Sequence, residues 1–439
     1  MQSNCGVFGI SSGTKNNIID DIFLGAFYLQ HRGQQYCGIS TYDGKGEIKI
    51  RTHRGLVRST FEEDLKGLEG YIGIGHTSLK DRQPIKLDSK MGEFTICFSG
   101  NIINRDELVA ALKKNGHSFY TDSDIEIIAK LIAQGDDFVN GIERMARKLR
   151  GGYSLILLAK GKIFATRDKH AFRPMVIGKR DHTIAVSSES CSFNNLGIQL
   201  VRDVKPGEII EIENGKFKTV KTIPAKFTQF CSFEWIYTAN AASIIDGLSV
   251  DMAREGLGAA LFRDFPVAAD VVAAVPNSGI GHALGYSHAS GIPYDNVFLK
   301  YDYASRSYTQ ATQEARDREA KLKLIPISEK IKGKRIVLCD DSIVRGTQMK
   351  NDLVVKLRNN GVKEIHVRIA CPPLMAPCLY GVATRSKSEL AAANKSVEEI
   401  RKYIGVDTLA FNKIESLSKA IGKPLTSICL SCWADKYRV

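Results

Sequence analysis

The stretch Arg335-Ile-Val-Leu-Cys-Asp-Asp-Ser-Ile-Val-Arg-Gly-Thr347 carries paired carboxylates at the end of an apolar run, then a Ser/Gly/Thr loop, then a helical pattern. In an open α/β sheet, ligands sit beyond the carboxyl ends of the strands. Backbone N–H groups of a loop that opens a helix hold phosphate. Asp340 and Asp341 suit ribose hydroxyls or a divalent cation. Taken alone, Asp-Asp-Ser is equally an acidic turn that caps a helix. A second candidate is the Cys429-Leu-Ser-Cys432 pair, a spacing that fits a metal or a redox couple. The other eight of the ten cysteines are scattered, and each by default is a small buried hydrophobe.

These groups need a scaffold, and the chain is long enough for two or three domains at 439 residues. Hydrophobic residues are 44% and charged residues 25%, which argues against wholesale disorder. No apolar run reaches the ~18 residues of a membrane helix, and nothing at the N-terminus reads as a signal peptide. The net charge of +13 favours an acidic partner, nucleic acid or a phosphorylated small molecule. Ten cysteines in so long a chain do not form the disulfide framework of a small secreted domain.

Strand patterns at 6–10, 71–75, 94–98, 153–159, 162–166 and 183–186 come in runs, with helical patterns at 18–29, 105–114 and 123–133. Asp122 or Ser123 is placed to cap the last of these. That order predicts an α+β layered sandwich. From about Cys231, apolar strands at 271–275, 297–299, 335–338 and 364–370 alternate with helices at 281–288 and 348–359, the pattern of a parallel α/β sheet. The boundary falls at 222–232, around Pro224.

Asn4-Cys-Gly-Val-Phe-Gly-Ile10 followed by Leu29-Gln-His-Arg-Gly-Gln34 resembles the start of a class II glutamine amidotransferase domain. The 335–347 string resembles the phosphoribosyl-diphosphate (PRPP) motif of type I phosphoribosyltransferases. Together the halves resemble the glutamine PRPP amidotransferase family, which opens purine synthesis, over essentially the whole chain. Arg167–Pro174, Ser187–Cys191, Val275-Pro-Asn-Ser278 and Thr426–Cys432 fit in the same order. The resemblance implies an N-terminal-nucleophile (Ntn) hydrolase αββα domain at 5–225, a phosphoribosyltransferase domain with a C-terminal cluster-binding segment at 231–439, and a propeptide at 1–4.

It also implies residue roles. Cys5 is the glutaminase nucleophile, with its own α-amine as base once Met1–Asn4 is removed. Arg32 and Asp124 match glutamine-binding positions. The family's carboxylate-binding Arg is replaced by Ser78, and its oxyanion Asn-Gly by Ser99 and Gly100. Lys80 or Arg82 is then a candidate cation, and the Ser99 hydroxyl a candidate donor. PRPP is bound by Ser278, Lys300, Arg306, Arg316, Asp340, Asp341, Ser342, Val344, Arg345, Gly346 and Thr347, with Gln313 and Lys321 also at loop positions. Mg²⁺ is held by Ser278, Asp340 and Asp341. Cys231, Cys378, Cys429 and Cys432 match the [4Fe–4S] ligands of the iron–sulfur branch. Four thiolates would equally hold zinc. Cys37, Cys97, Cys191, Cys339 and Cys371 remain as core or loop thiols.

The expected protein is a cytoplasmic homo-oligomer, dimer or tetramer, that uses PRPP and glutamine, with purine nucleotides as inhibitors and no nucleic-acid or membrane partner. The Ser78 and Ser99 departures keep two alternatives in play. One is a paralogue with a weakened glutaminase that uses free ammonia. The other is a non-enzymatic PRPP or nucleotide sensor.

Overall fold

The computed structural model describes residues 5–62, 64–301, 322–381 and 386–438. Two antiparallel sheets face each other in the first half. The seven-stranded sheet has Gly6–Ser12 at its centre, between Ile72–Ser78 and Thr183–Ser187. Strand geometry sends alternate residues to opposite faces. Val7 therefore meets Ile74, Ile156 and Leu158 between the sheets, while Phe8 and Ile10 pack outward under Ile22 and Ala26 of the helix Ile19–Tyr28. In the six-stranded sheet Phe94–Ile102 pairs with Gly151–Ala159, setting Ser99 opposite Ser154. Its outer face is covered by Asp124–Ala133 and Phe138–Lys148. The latter buries Phe138, Ile142 and Met145 along one stripe. Asp137 starts it by accepting the Asn140 N–H at 2.8 Å.

Four parallel strands form the second half, in the order Val271–Ala274, Arg335–Asp340, Glu364–Ile369 and Thr408–Phe411. Helices Val250–Asp264 and Ile280–Ser290 pack on each other and line one side of this sheet. One expected strand is placed differently. Phe298–Lys300 leaves the parallel sheet and pairs antiparallel with Leu324–Pro326 in a separate ribbon. A three-residue apolar run has no periodicity that could tell the two settings apart. Thr408–Phe411 takes the expected strand's place as the fourth member of the sheet.

Candidate functional site

The first site gathers at the ends of strands. Gly6 pairs with Thr77, so the same register sets Cys5 opposite Ser78. The Ser99 hydroxyl donates to the Cys5 backbone carbonyl at 2.6 Å, joining the two sheets at the nucleophile position. Gly100 has no room for a side chain, because a Cβ there would lie 2.2 Å from the Gly152 carbonyl. The Ser78 hydroxyl donates to the Asp81 carbonyl at 2.5 Å. His76 donates from Nε2 to the Phe98 carbonyl at 3.2 Å, and burial pushes its pKa down to about 3. Thus Cys5, Ser78, Ser99 and Gly100 come together from three strands, and Cys5 is fully buried.

Asp124 opens the helix Asp124–Ala133 beside the end of the Ser99 strand, where the Ile102 N–H reaches its carboxyl. Burial raises its pKa, and the charges of Lys80 and Arg105 oppose that rise. Ser123 precedes it at the helix start but makes no side-chain capping bond.

The Arg32 guanidinium is taken up by two buried acids. Its Nε donates to Glu189, while Nη1 and Nη2 reach Glu234 at 3.4 and 2.6 Å. Arg173 Nη1 meets the same Glu234 at 3.2 Å. All four charged side chains are at most 2% exposed. Burial alone would raise the Glu189 carboxyl, but Arg32 and His31 outweigh it and hold it well below the usual range. Glu189 also accepts from the Asn240 N–H and the Ser243 hydroxyl, both at 2.7 Å. The network therefore stitches the sandwich to the second half. Arg167 repeats the motif with Asp246, at 2.7 and 2.9 Å. Sequence reading passed over Glu189, Arg173 and Glu234 as members of longer strings, because a buried charge has the same letter as a solvated one. His31, Glu189 and Cys191 offer ligand atoms within 4.8 Å of one another. Glu189 there already serves as the counter-ion of Arg32.

The second site lies at the carboxyl end of the parallel sheet, as the strand pattern predicts. Asp340 ends its strand and receives the Ser278 hydroxyl at 3.4 Å. Ser278 reaches it because Gly279 packs tightly on that strand, where a Cβ would sit 2.4 Å from the Cys339 carbonyl. Burial, then the charge of Asp341, raises the Asp340 pKa well above the ordinary range. Asp341 is more deeply placed, bonded by the Ser342 hydroxyl at 2.6 Å, and its charge acts on Arg254 and His282. The loop runs on through Val344, Arg345 and Gly346 (φ +76°) to Thr347, where the helix starts. Arg345 reaches out to Glu389 at 2.8 Å. Lys300 sits in the separate ribbon. Arg306, Gln313, Arg316 and Lys321 lie outside the described residues, as do Met1–Asn4.

Cys231, Cys378, Cys429 and Cys432 line one pocket together with Phe172, Arg173, Phe233, Leu374, Tyr380 and Ser431. Cys231 pairs with Cys429 through two short parallel strands. The Cys432 carbonyl accepts from the Met375 N–H at 2.9 Å, tying in the segment before Cys378. Phe172 stacks on Tyr380 with ring centres 3.8 Å apart, closing the pocket from the sandwich side. Burial raises the Cys231, Cys429 and Cys432 thiols, Cys429 to about 11, and the neighbouring sulfurs add to the rise. The remaining cysteines, 37, 97, 191, 339 and 371, are buried thiols in the sheets and loops.

A layered sandwich with a cysteine at the start of its central strand, joined to a parallel sheet with a phosphate-type loop, defines a glutamine amidotransferase fused to a phosphoribosyltransferase. Residues 73–195 match the family model described as "Glutamine amidotransferase domain". The chain is 40% identical to the amidophosphoribosyltransferase of Methanocaldococcus jannaschii, over 99% of this chain and 97% of that one. It is 35% identical to the Bacillus subtilis amidophosphoribosyltransferase, over 100% of this chain and 94% of that one. The solved B. subtilis glutamine PRPP amidotransferase, complexed with ADP and GMP, superposes with a TM-score of 0.92 at 35% identity, covering 99% of this chain and 97% of that one. The chain belongs to the amidophosphoribosyltransferase family, the enzymes of the first committed step of purine biosynthesis. Nothing in these comparisons supports a non-enzymatic sensor or an ammonia-only paralogue.

Proposed function

We propose that residues 5–225 and 231–439 are two domains that share one reaction, with Cys5 producing ammonia and the Asp340–Thr347 loop consuming it. Removal of residues 1–4 frees the Cys5 α-amine. The thiol gives its proton to that amine and attacks the glutamine amide carbon; the C–N bond breaks, and ammonia leaves with the proton. Water then cleaves the thioester to glutamate and restores the thiol. The Gly100 N–H and the strand end around Ser99 face the developing oxyanion. At the second site, the loop N–H groups and Thr347 hold the PRPP 5-phosphate, and ammonia displaces diphosphate from the ribose anomeric carbon. The Ser99–Cys5 hydrogen bond carries this reading, because it binds the nucleophile position to the oxyanion strand.

Oxygen donors at Ser278 and Asp340, with Asp341 beside them, fit a hard divalent cation. When bound, Mg²⁺ neutralises charge on the departing diphosphate. Four cysteines lining one pocket fit a [4Fe–4S] cluster, and the family resemblance favours it over zinc. A [4Fe–4S] cluster there would be structural, because none of the groups assigned to either reaction lines the pocket. Iron and acid-labile sulfide in the natively purified protein test this, and zinc at one per chain without sulfide overturns it.

No helix among the described residues is long and apolar enough to cross a membrane. No disulfide joins cysteines among the described residues, which suits a reducing, cytoplasmic setting. The relative solved with ADP and GMP supports purine nucleotides as regulators here too. The test of the reaction is a comparison of nitrogen donors. Cys5→Ala is expected to abolish glutamine-dependent phosphoribosylamine formation while ammonium still supports it. Glutamine turnover that survives Cys5→Ala refutes the assignment.

A further inference from the structure

A glutamine bound with its amide at Cys5 presents a zwitterionic head group some distance away, and that head needs an anion and a cation side by side. The anion is Asp124 on the reading above, and this inference rests on that reading. Ile102, whose N–H reaches Asp124, lies three residues along the strand from Ser99, or about 10 Å at ~3.3 Å per residue. Extended glutamine spans roughly 5 Å from amide carbon to α-nitrogen. Adding ~3 Å for near attack and ~3 Å for a hydrogen bond brings the reach to about 11 Å. The two lengths match.

The cation is the open question, because position 78 is a serine whose hydroxyl is held by the Asp81 carbonyl. Arg32 has all three nitrogens on Glu189 and Glu234. Arg82 stands over the Tyr36 ring, 6.0 Å from its centre. Arg105, at the start of the helix Arg105–Lys114, has its Nε 3.3 Å from Asp124 Oδ1. Its Nη2 donates to the Asp122 carbonyl at 3.1 Å, and its Nη1 is only 3.7 Å from the exposed Asp106. The Arg105 side chain is 33% exposed, so its guanidinium edge is open to a ligand that approaches Asp124.

We propose that Arg105, paired with Asp124, receives the α-carboxylate of glutamine and so takes the part that the family's missing arginine plays at position 78. The α-ammonium group lies on Asp124 and the carboxylate on the guanidinium, exchanging one ion pair for two. Sequence reading named Lys80 and Arg82 for this part. The charge of Lys80 bears on Asp124 ahead of that of Arg105, but Lys80 is exposed, whereas Arg105 is the cation in direct contact with the Asp124 carboxylate.

The test measures glutamine hydrolysis by the full-length enzyme with L-glutamine and with its α-carboxamide, which lacks the negative charge. The wild type is expected to prefer glutamine strongly. Arg105→Ala should raise the KM for glutamine about 10–100-fold, the value of a charge-assisted hydrogen-bond pair, with a smaller change in kcat. It should also erase most of the preference over the carboxamide, while Arg105→Lys restores part of it. A glutamine KM within about threefold of wild type and an intact preference in Arg105→Ala overturn the assignment, and so does transfer of the whole effect to Lys80→Ala. Glutamine hydrolysis that persists in Cys5→Ala would instead overturn the underlying site, and a wild type with no glutamine hydrolysis would overturn both. Melting temperatures of Arg105→Ala and Arg105→Lys matching the wild type separate a binding defect from a folding one.

Discussion

The two reaction sites differ in how they are enclosed and in where their charge sits. The cysteine site is built from strand ends, with Cys5 fully buried and its backbone carbonyl accepting from the Ser99 hydroxyl. The proposed PRPP site is a loop at the carboxyl end of the parallel sheet, with carboxylates at its base and an exposed Arg345. The contrast follows from the substrates. A neutral amide needs alignment, and strands fix that with little charge. A triply phosphorylated sugar needs cations and N–H groups, which loops can present and then release. Between them lies an interface of buried, balanced ion pairs, with Arg32 and Arg173 set against Glu189 and Glu234.

The largest expected effect on turnover sits on the proposed PRPP side. Asp340→Asn should lower turnover about 10²–10³-fold, and equally with glutamine and with ammonium, since it acts after ammonia is made. A loss confined to glutamine would break the division of labour. At the interface, Glu234→Ala leaves Arg32 and Arg173 buried with one counter-ion fewer. Denaturant unfolding should show a loss of about 3–5 kcal/mol, and an unchanged midpoint would mean that the network does not join the halves.

The acid response is a smaller, signed effect. Burial holds the His76 pKa at about 3, against 6.5 for the free group. The unfolded chain therefore binds the extra proton between those values, so stability rises with pH across that window and is lost as pH falls through it. The slope is up to about 1.4 kcal/mol per pH unit for this one group. Thermal unfolding from pH 7 to pH 4 checks the sign, and His76→Gln should flatten the curve. The smallest effect is Ser99→Ala, which removes one hydroxyl from the Cys5 carbonyl. It should cost about 1 kcal/mol in glutaminase kcat/KM, within tenfold, and nothing in the ammonium reaction.

The fold was legible wherever local pattern and tertiary setting agree. The helix Arg105–Lys114 matches its expected bounds, and the parallel strands at 335 and 364 are where their apolar runs put them. The strand Phe94–Ile102 runs four residues past its expected end, because Ser-Gly-Asn has little strand preference and is held by pairing with Gly151–Ala159. Those extra residues are the site. Cys5, Ser78 and Ser99 meet only through the pairing of distant strands, so their association was readable through family resemblance and not through spacing. The Arg32 network and the Arg105–Asp124 pair were not legible, since burial and ion pairing of a charged residue leave no mark on its neighbours in the sequence.

The most direct test of a functioning two-site enzyme is phosphoribosylamine formation by the wild type with PRPP and glutamine as the sole nitrogen donor, on protein purified without oxygen. The account predicts product from glutamine at a rate no more than about 10²–10³-fold below that with saturating ammonium, because Ser99 costs one oxyanion donor while Arg105 keeps the substrate carboxylate bound. Product from ammonium and none from glutamine would contradict it.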